Sequence, residues 1–258
     1  MSTAARCWWG SWALVWVTWP GLLWGQPASQ EKARATVAAA IQALGGNAWL
    51  SLRTVRVEGR RAAFYQGTPT GAGAEVTITT ELPNAQRVDL SEGRVVQIYD
   101  GRQAWEITYK GKKNLSASKA EDFLRWRNHS LGVVLRQWYS NPATMLIDDG
   151  LSIVERRPAA KITLIDSADD AVALEIDAES HLPLRLSFEW RDPRFHDKNL
   201  DAVEYDNYQQ IDGIATPFTV TRTRNGETVR EMFVRRVACN VALPKDFFDA
   251  DIAARHLK

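Results

Sequence analysis

Few residues in this sequence combine the type and the spacing that chemistry needs. Ser116 and Lys119 stand three apart, a spacing at which a lysine could take the proton of a serine nucleophile. Such a system needs further elements. Tyr139-Ser140-Asn141 could supply one, but no Lys-Thr-Gly follows on a later strand and no Gly-x-Ser-x-Gly elbow occurs. A helix cap and a helix stop account for the same residues. His129, His181, His196 and His256 are scattered, without a His-Glu-x-x-His pattern or a Cys pair to hold a metal. Asp192, His196 and Asp197 form the densest group, but Pro193 keeps Asp192 and His196 off a common helical face, so this reads as a solvated charged loop. The acid pairs Asp148-Asp149 and Asp169-Asp170 sit beside turn signals, where Asp accepts from nearby backbone N–H groups rather than facing a second carboxyl across a cleft. The loop from Gly67 to Gly73 leads into no helix, which rules out a phosphate cradle. No catalytic constellation, cofactor or metal site is expected.

The elements around these residues are mostly strands. Thr54 to Glu58 and Glu75 to Thr79 alternate apolar and polar residues. Arg87 to Leu90, Val95 to Tyr99 and Gln103 to Tyr109 follow, with turns at Glu92-Gly93 and Asp100-Gly101. Further strands are expected at 152–156, 160–165, 171–176, 183–190, 203–211, 217–224 and 228–237, the last three separated by Asp212-Gly213 and Asn225-Gly226. Helical spacing covers Ser29 to Leu44, where Gly45-Gly46 supplies the stop. A second, long helix interrupts the meander. Ser118 and Glu121 have capping-box spacing, and Phe123, Trp126, Leu131, Val134, Leu135 and Trp138 form one stripe, ended by Asn141-Pro142. Arg125, Asn128, Arg136 and Gln137 are assigned to its opposite, solvated side.

These elements predict a mainly β fold with helices. A strongly curved antiparallel sheet would form a half-open barrel, and the long amphipathic helix would cover its apolar face as a lid. Candidate lining residues are Val76, Ile78, Val88, Leu90, Ile98, Trp105 and Ile107 on the strands. Phe123, Trp126, Leu131, Leu135 and Trp138 are the candidates on the lid. They would either fill a packed core or line an incompletely filled cavity able to hold a lipid chain, and periodicity does not separate the two.

The N-terminus bounds the compartment. Arg6 precedes an uncharged run from Cys7 to Gly25 that Pro20 and Gly21 break, the pattern of a secretory signal cut after Gly25 or, second, Ala28. A retained membrane anchor is the competing reading. Cys7 precedes the apolar core of that run rather than following it, which argues against lipidation. Cleavage would remove six of the eleven Trp and leave Cys239 as the single cysteine, so residues 26–258 would form one domain without a disulfide. The formal net charge of +1, with both signs interspersed, gives no nucleic-acid footprint.

In this order the parts resemble a known family. The helix ends Ala43-Leu44-Gly45-Gly46 and is followed by Val55-Arg56-Val57-Glu58-Gly59 and then Gln97 to Glu106, reading QIYDGRQAWE. Leu182-Pro183-Leu184-Arg185-Leu186, Tyr205-Asp206-Asn207-Tyr208, Ile211 to Pro217 and Leu243 to Phe248 come after the long helix. These segments are similar to the outer-membrane lipoprotein-sorting and lipoprotein-carrier (LolA/LolB-like) superfamily, in divergent acidobacterial-type form. The resemblance implies a half-open barrel with a helical lid, an apolar cavity for acyl chains, and neither catalysis nor a cofactor. The expected function is then a periplasmic, carrier-like binding protein for lipid or lipoprotein acyl chains. An envelope sensor of the same fold, binding a protein partner, is the alternative.

Overall fold

The computed structural model describes residues 25–257; apart from Gly25, the segment read as an export signal lies outside them. The chain enters through α1 (Gly25–Leu44), whose Ala33, Val37, Ala40, Ile41 and Leu44 recur at helical spacing and are all buried. Gly45, at φ +126°, stops the helix. A Cβ there would lie 2.6 Å from the Gly213 carbonyl oxygen, so glycine lets the helix end dock on a hairpin turn. One helical turn, α2 (Asn47–Leu50), follows and buries Trp49. Strands β1 (Thr54–Tyr65), β2 (Thr68–Pro69), β3 (Ala74–Glu81), β4 (Ala85–Leu90), β5 (Val95–Tyr99), β6 (Ala104–Thr108) and β7 (Gly111–Asn114) come next.

The expected long helix is two pieces. It starts at α3 (Ala117–Asn128), with Ser116 rather than Ser118 at the N-cap and no side-chain cap bond, so the capping box does not form. It restarts as α4 (Leu131–Val133), which runs into a π-helical segment, Val134–Trp138. Side-chain contacts fix the break. The His129 ring nitrogens contact the Arg125 carbonyl oxygen at 2.7 Å and an Asp170 carboxylate oxygen at 2.8 Å, and the Ser130 hydroxyl accepts from the Val133 amide. Side chains that satisfy backbone groups locally compete with helix continuation.

The second run of strands comprises β8 (Met145–Val154), β9 (Arg157–Ile165), β10 (Ala171–Asp177), β11 (Pro183–Arg191), β12 (Lys198–Ile211), β13 (Ile214–Arg224) and β14 (Glu227–Cys239), before α5 (Ala250–His256). The sequence reading missed α2, β2, β7 and α5, and began β8 and β12 several residues late. Asp212-Gly213 and Asn225-Gly226 form the expected tight turns, with all four residues at positive φ.

All pairings are antiparallel, in the order β7-β6-β5-β4-β3-β1-β14-β13-β12-β11-β10-β9-β8, with β2 paired to β1 alone. The β1–β14 pair closes the chain on itself in mid-sheet. β7 and β8 remain as unjoined edges, so the sheet stays open. Register shifts at Glu58/Gly59, Asp148/Gly150, Glu175/Ile176 and Arg222/Thr223 bend the strands. Gly59 is needed at the first of these, because a Cβ there would collide with the Phe233 carbonyl oxygen. Leu146, Ile162, Leu164, Leu174, Leu186 and Phe188, from β8 to β11, share one face and pack against α1, Trp126, Val134 and Leu135 as the main core.

Candidate functional site

The same face continues across β12, β13, β14, β1, β3, β4 and β5, but there it is not filled. Register carries the parity across: Tyr205 lies opposite Val220, Val220 opposite Met232, Val57 opposite Ile78, Ile78 opposite Val88, and Val88 opposite Gln97. Between this part of the sheet and α3 lies a cavity of about 870 Å³. That is within the roughly 300–1,000 Å³ typical of small-molecule sites. Val57, Ile78, Val88, Val220, Met232 and Val234 form an apolar floor, while Phe123 and Trp126 of α3 form the facing wall. Phe123 stacks on Tyr99 with ring centroids 3.5 Å apart and 18° between planes, closing one side.

Of the residues expected to line a cavity, Ile78, Val88, Phe123 and Trp126 do so. Val76 and Leu90 lie on the same face and pack with the floor residues in one cluster, beside the cavity rather than lining it. Leu135 is fully buried in the main core, against which Leu131 and Trp138 also pack. Ile98, Trp105 and Ile107 are on the other face of the sheet. There they pack with Val96 under Ala250 and Ala253 of α5 and do not reach the cavity. The reason is parity: a hairpin pairing Leu90 with Val95 puts Gln97 and Tyr99 on the Val88 side and Ile98 on the opposite one. The helix was also misfaced at two positions. Arg125 turns inward onto the Trp190 ring (3.5 Å from its centroid), and Arg136 lies over Trp49 (4.1 Å) while donating to the Trp49 carbonyl.

A charged clasp holds α3 on the sheet. Asp201 of β12 has no solvent exposure and accepts from Arg224 Nε at 2.7 Å and Nη2 at 3.0 Å. Arg224 also donates to Asp122 of α3 at 3.0 Å, Asp122 accepts from Arg125 at 2.5 Å, and Arg125 Nε lies 3.9 Å from Asp201. Two arginines therefore share two carboxylates across the α3–sheet seam, and this raises the Arg224 pKa, chiefly through the hydrogen bonds it donates to Asp201. A second fastening is His129, which stacks on Phe188 (4.0 Å, 12°) and whose bond to Asp170 lowers that carboxyl.

Three further arginines face the cavity. Arg222 and Arg230 lie directly opposite each other on β13 and β14, and Arg61 lies on the adjacent β1, opposite Met232. Burial pushes Arg61 and Arg222 down to about 10 and lowers Arg230, helped for Arg61 and Arg222 by the repulsion of Arg230. Sequence reading missed all three, since arginine on a strand suggests the solvent face. The available signal was that Val220, Arg222 and Arg224 share one parity, as do Arg230 and Met232.

The residues first considered for chemistry are dispersed. Ser116 Oγ contacts Ser118 Oγ at 3.3 Å, and no hydrogen bond joins it to Lys119 among the described residues. Asp192 accepts from the amides of Arg194 and Phe195 in a turn, and no cluster suited to a metal occurs among the described residues. No described helix is long and apolar enough to cross a membrane. Cys239 is free and half-buried.

The sequence matches no family model and no curated protein. Solved structures resemble the fold. A DUF1329 family protein from Desulfovibrio piger superposes with a TM-score of 0.62 at 10% identity, covering 87% of this chain and 99% of that one. A putative outer membrane lipoprotein-sorting protein domain from Vibrio parahaemolyticus gives 0.54 at 11% identity, over 90% and 100%. A LolA superfamily protein from Nitrosomonas europaea gives 0.52 at 15%, over 85% and 98%. The resemblance drawn from strands and turns thus holds at the level of architecture: this chain has the open antiparallel-sheet fold of DUF1329 and LolA-superfamily structures.

Proposed function

We propose that this protein is an exported, non-catalytic binding protein that holds acyl chains between α3 and the sheet, as a carrier of lipid or lipoprotein. The observation that carries this reading is the roughly 870 Å³ space floored by aliphatic side chains and walled by Phe123 and Trp126. An apolar face of this size favours a greasy occupant, because burying apolar surface contributes about 25 cal/mol per Å². α3 serves as the lid, its clasp fixing how far it stands from the floor. Residues 1–25 act as the export signal to the periplasm, and residues 26–258 are the working domain. The likeness to a lipoprotein-sorting domain and a LolA-superfamily protein supports the carrier reading by fold.

The test is to purify the protein without detergent, extract it for lipid mass spectrometry, and titrate the stripped protein with a fluorescent fatty acid. Co-purifying lipid and saturable uptake are expected. An empty extract together with no uptake would refute the proposal.

The sensor reading has one supporting feature. Edge strand β8 leaves Met145, Leu151 and Ile153 exposed, a surface on which a partner strand could pair. A pull-down from envelope extract that returns a single partner, lost on Leu151→Lys and Ile153→Lys, would favour it.

A further inference from the structure

We propose that the cavity selects an amphiphile with an anionic headgroup, its carboxylate or phosphate held by Arg61, Arg222 and Arg230 while the acyl chain lies on the apolar floor. This rests on the acyl-chain reading above and narrows its cargo.

The charges around the cavity are unbalanced. Arg125 and Arg224, at the edge of the same cavity, are matched by Asp122 and Asp201. Arg61, Arg222 and Arg230 have no such match: among the described residues no side-chain hydrogen bond or carboxylate within ion-pairing distance serves them. Asp122, whose field reaches Arg222 and Arg230, already accepts on its Oδ1 from Arg125 and Arg224. Like charges directly opposite on paired strands are destabilising, and Arg222 and Arg230 are such a pair. Three guanidinium groups that converge on one cavity beside an apolar surface, two of them directly opposite, are suited to an anion that neutralises them. The groups are also presented for binding. Arg222 lies over the Trp126 ring, 4.6 Å from its centroid, which covers its face and leaves its N–H edge free for an oxyanion. Val220 and Met232, each two residues along the strand from one of these arginines, begin the apolar floor, so headgroup and chain sites are contiguous. A hydrophilic anion alone would leave that floor bare, and a neutral acyl chain would leave the arginines unmatched.

The experiment displaces a neutral apolar dye, N-phenylnaphthylamine, from the stripped protein. Competitors are palmitic acid, methyl palmitate, lysophosphatidylglycerol, monopalmitoylglycerol and inorganic phosphate. Palmitic acid or lysophosphatidylglycerol should displace the dye at concentrations at least about tenfold below those of the neutral counterparts, as expected for a charge-assisted contact. The tighter of the two identifies the headgroup. Arg222→Gln and Arg230→Gln should each bring that preference, read as the ratio of the anionic ligand to its neutral counterpart, below about threefold. Both variants relieve repulsion and should stay folded, which dye uptake reports directly. Equal displacement by acid and ester, or a preference untouched in both variants, would overturn the headgroup site while leaving the acyl-chain cavity standing. Phosphate binding as tightly as lysophosphatidylglycerol would make this a free-anion site and overturn the amphiphile. Failure of the dye and of every lipid would sink the acyl-chain reading itself.

Discussion

Replacing Asp201 with Asn would loosen the clasp that sets the position of α3. The carboxylate is wholly buried, accepts two hydrogen bonds from Arg224 and lies 3.9 Å from Arg125. Removing one partner of a buried pair costs about 3–5 kcal/mol, because the other charge is left unmatched. Two features reduce that figure here. The Arg224 side chain is 33% exposed, and it keeps Asp122. A loss of roughly 2–3 kcal/mol is therefore expected, after allowing for solvent screening. In a domain of this size each kcal/mol lowers Tm by about 2–4 °C, so thermal unfolding should shift down by roughly 5–10 °C. Urea unfolding should show the same loss as a lower midpoint at an unchanged slope. Asp206→Asn is the control, since Asp206 makes an exposed pair with Arg157 and should cost under about 1 kcal/mol. In a double-mutant cycle with Arg224→Met, the combined loss should be smaller than the sum of the single losses. A released α3 should also take up a fluorescent fatty acid faster. Equal stability of Asp201→Asn and Asp206→Asn would show that the clasp does not hold α3.

Other consequences are open to direct measurement. Gly59→Val would force a side chain against the Phe233 carbonyl at the β1–β14 bulge and should destabilise by about 1–3 kcal/mol, where wild-type stability in urea would show that the bulge is not needed. Asp170 titrates below its ordinary value because His129 donates to it; its contribution is complete above the unfolded value of about 3.9 and is lost as pH falls through the lower folded value. Asp170→Asn should therefore lose less stability than wild type on acidification below about pH 4, and parallel profiles would refute the coupling. Across saturated fatty acids from octanoate upward, each added methylene should tighten binding by about 0.8 kcal/mol, roughly fourfold, until the cavity is full. A series flat from the start would exclude chain burial.

Much of the architecture was legible because turns and alternation act locally. Asp-Gly and Asn-Gly pairs require positive φ, and they placed the hairpins around Asp212-Gly213 and Asn225-Gly226. The site was harder to read. Val95-Val96-Gln97-Ile98-Tyr99 is apolar on both sides because both are covered, one by the cavity wall and one by α5, so period-2 alternation gives no face. That ambiguity put Ile98, Trp105 and Ile107 on the wrong side. α5 itself carries few large apolar residues in seven and offers little pattern. The break at His129 depends on Asp170, distant in sequence, and helical spacing through Leu135 carried no trace of it. The arginines of β13 and β14 went unnoticed for a different reason. Their inward orientation is chemically costly, and the rule that charge faces water fails where a site collects charge.

Photo-crosslinking with a diazirine-bearing fatty acid reports where a bound chain lies. Adducts are expected on Ile78, Val88, Phe123, Trp126, Val220 or Met232, competed away by unlabelled fatty acid. Adducts confined to Ile98 and Ile107 beneath α5, or to Leu151 and Ile153 on the edge strand, would contradict that placement of the chain.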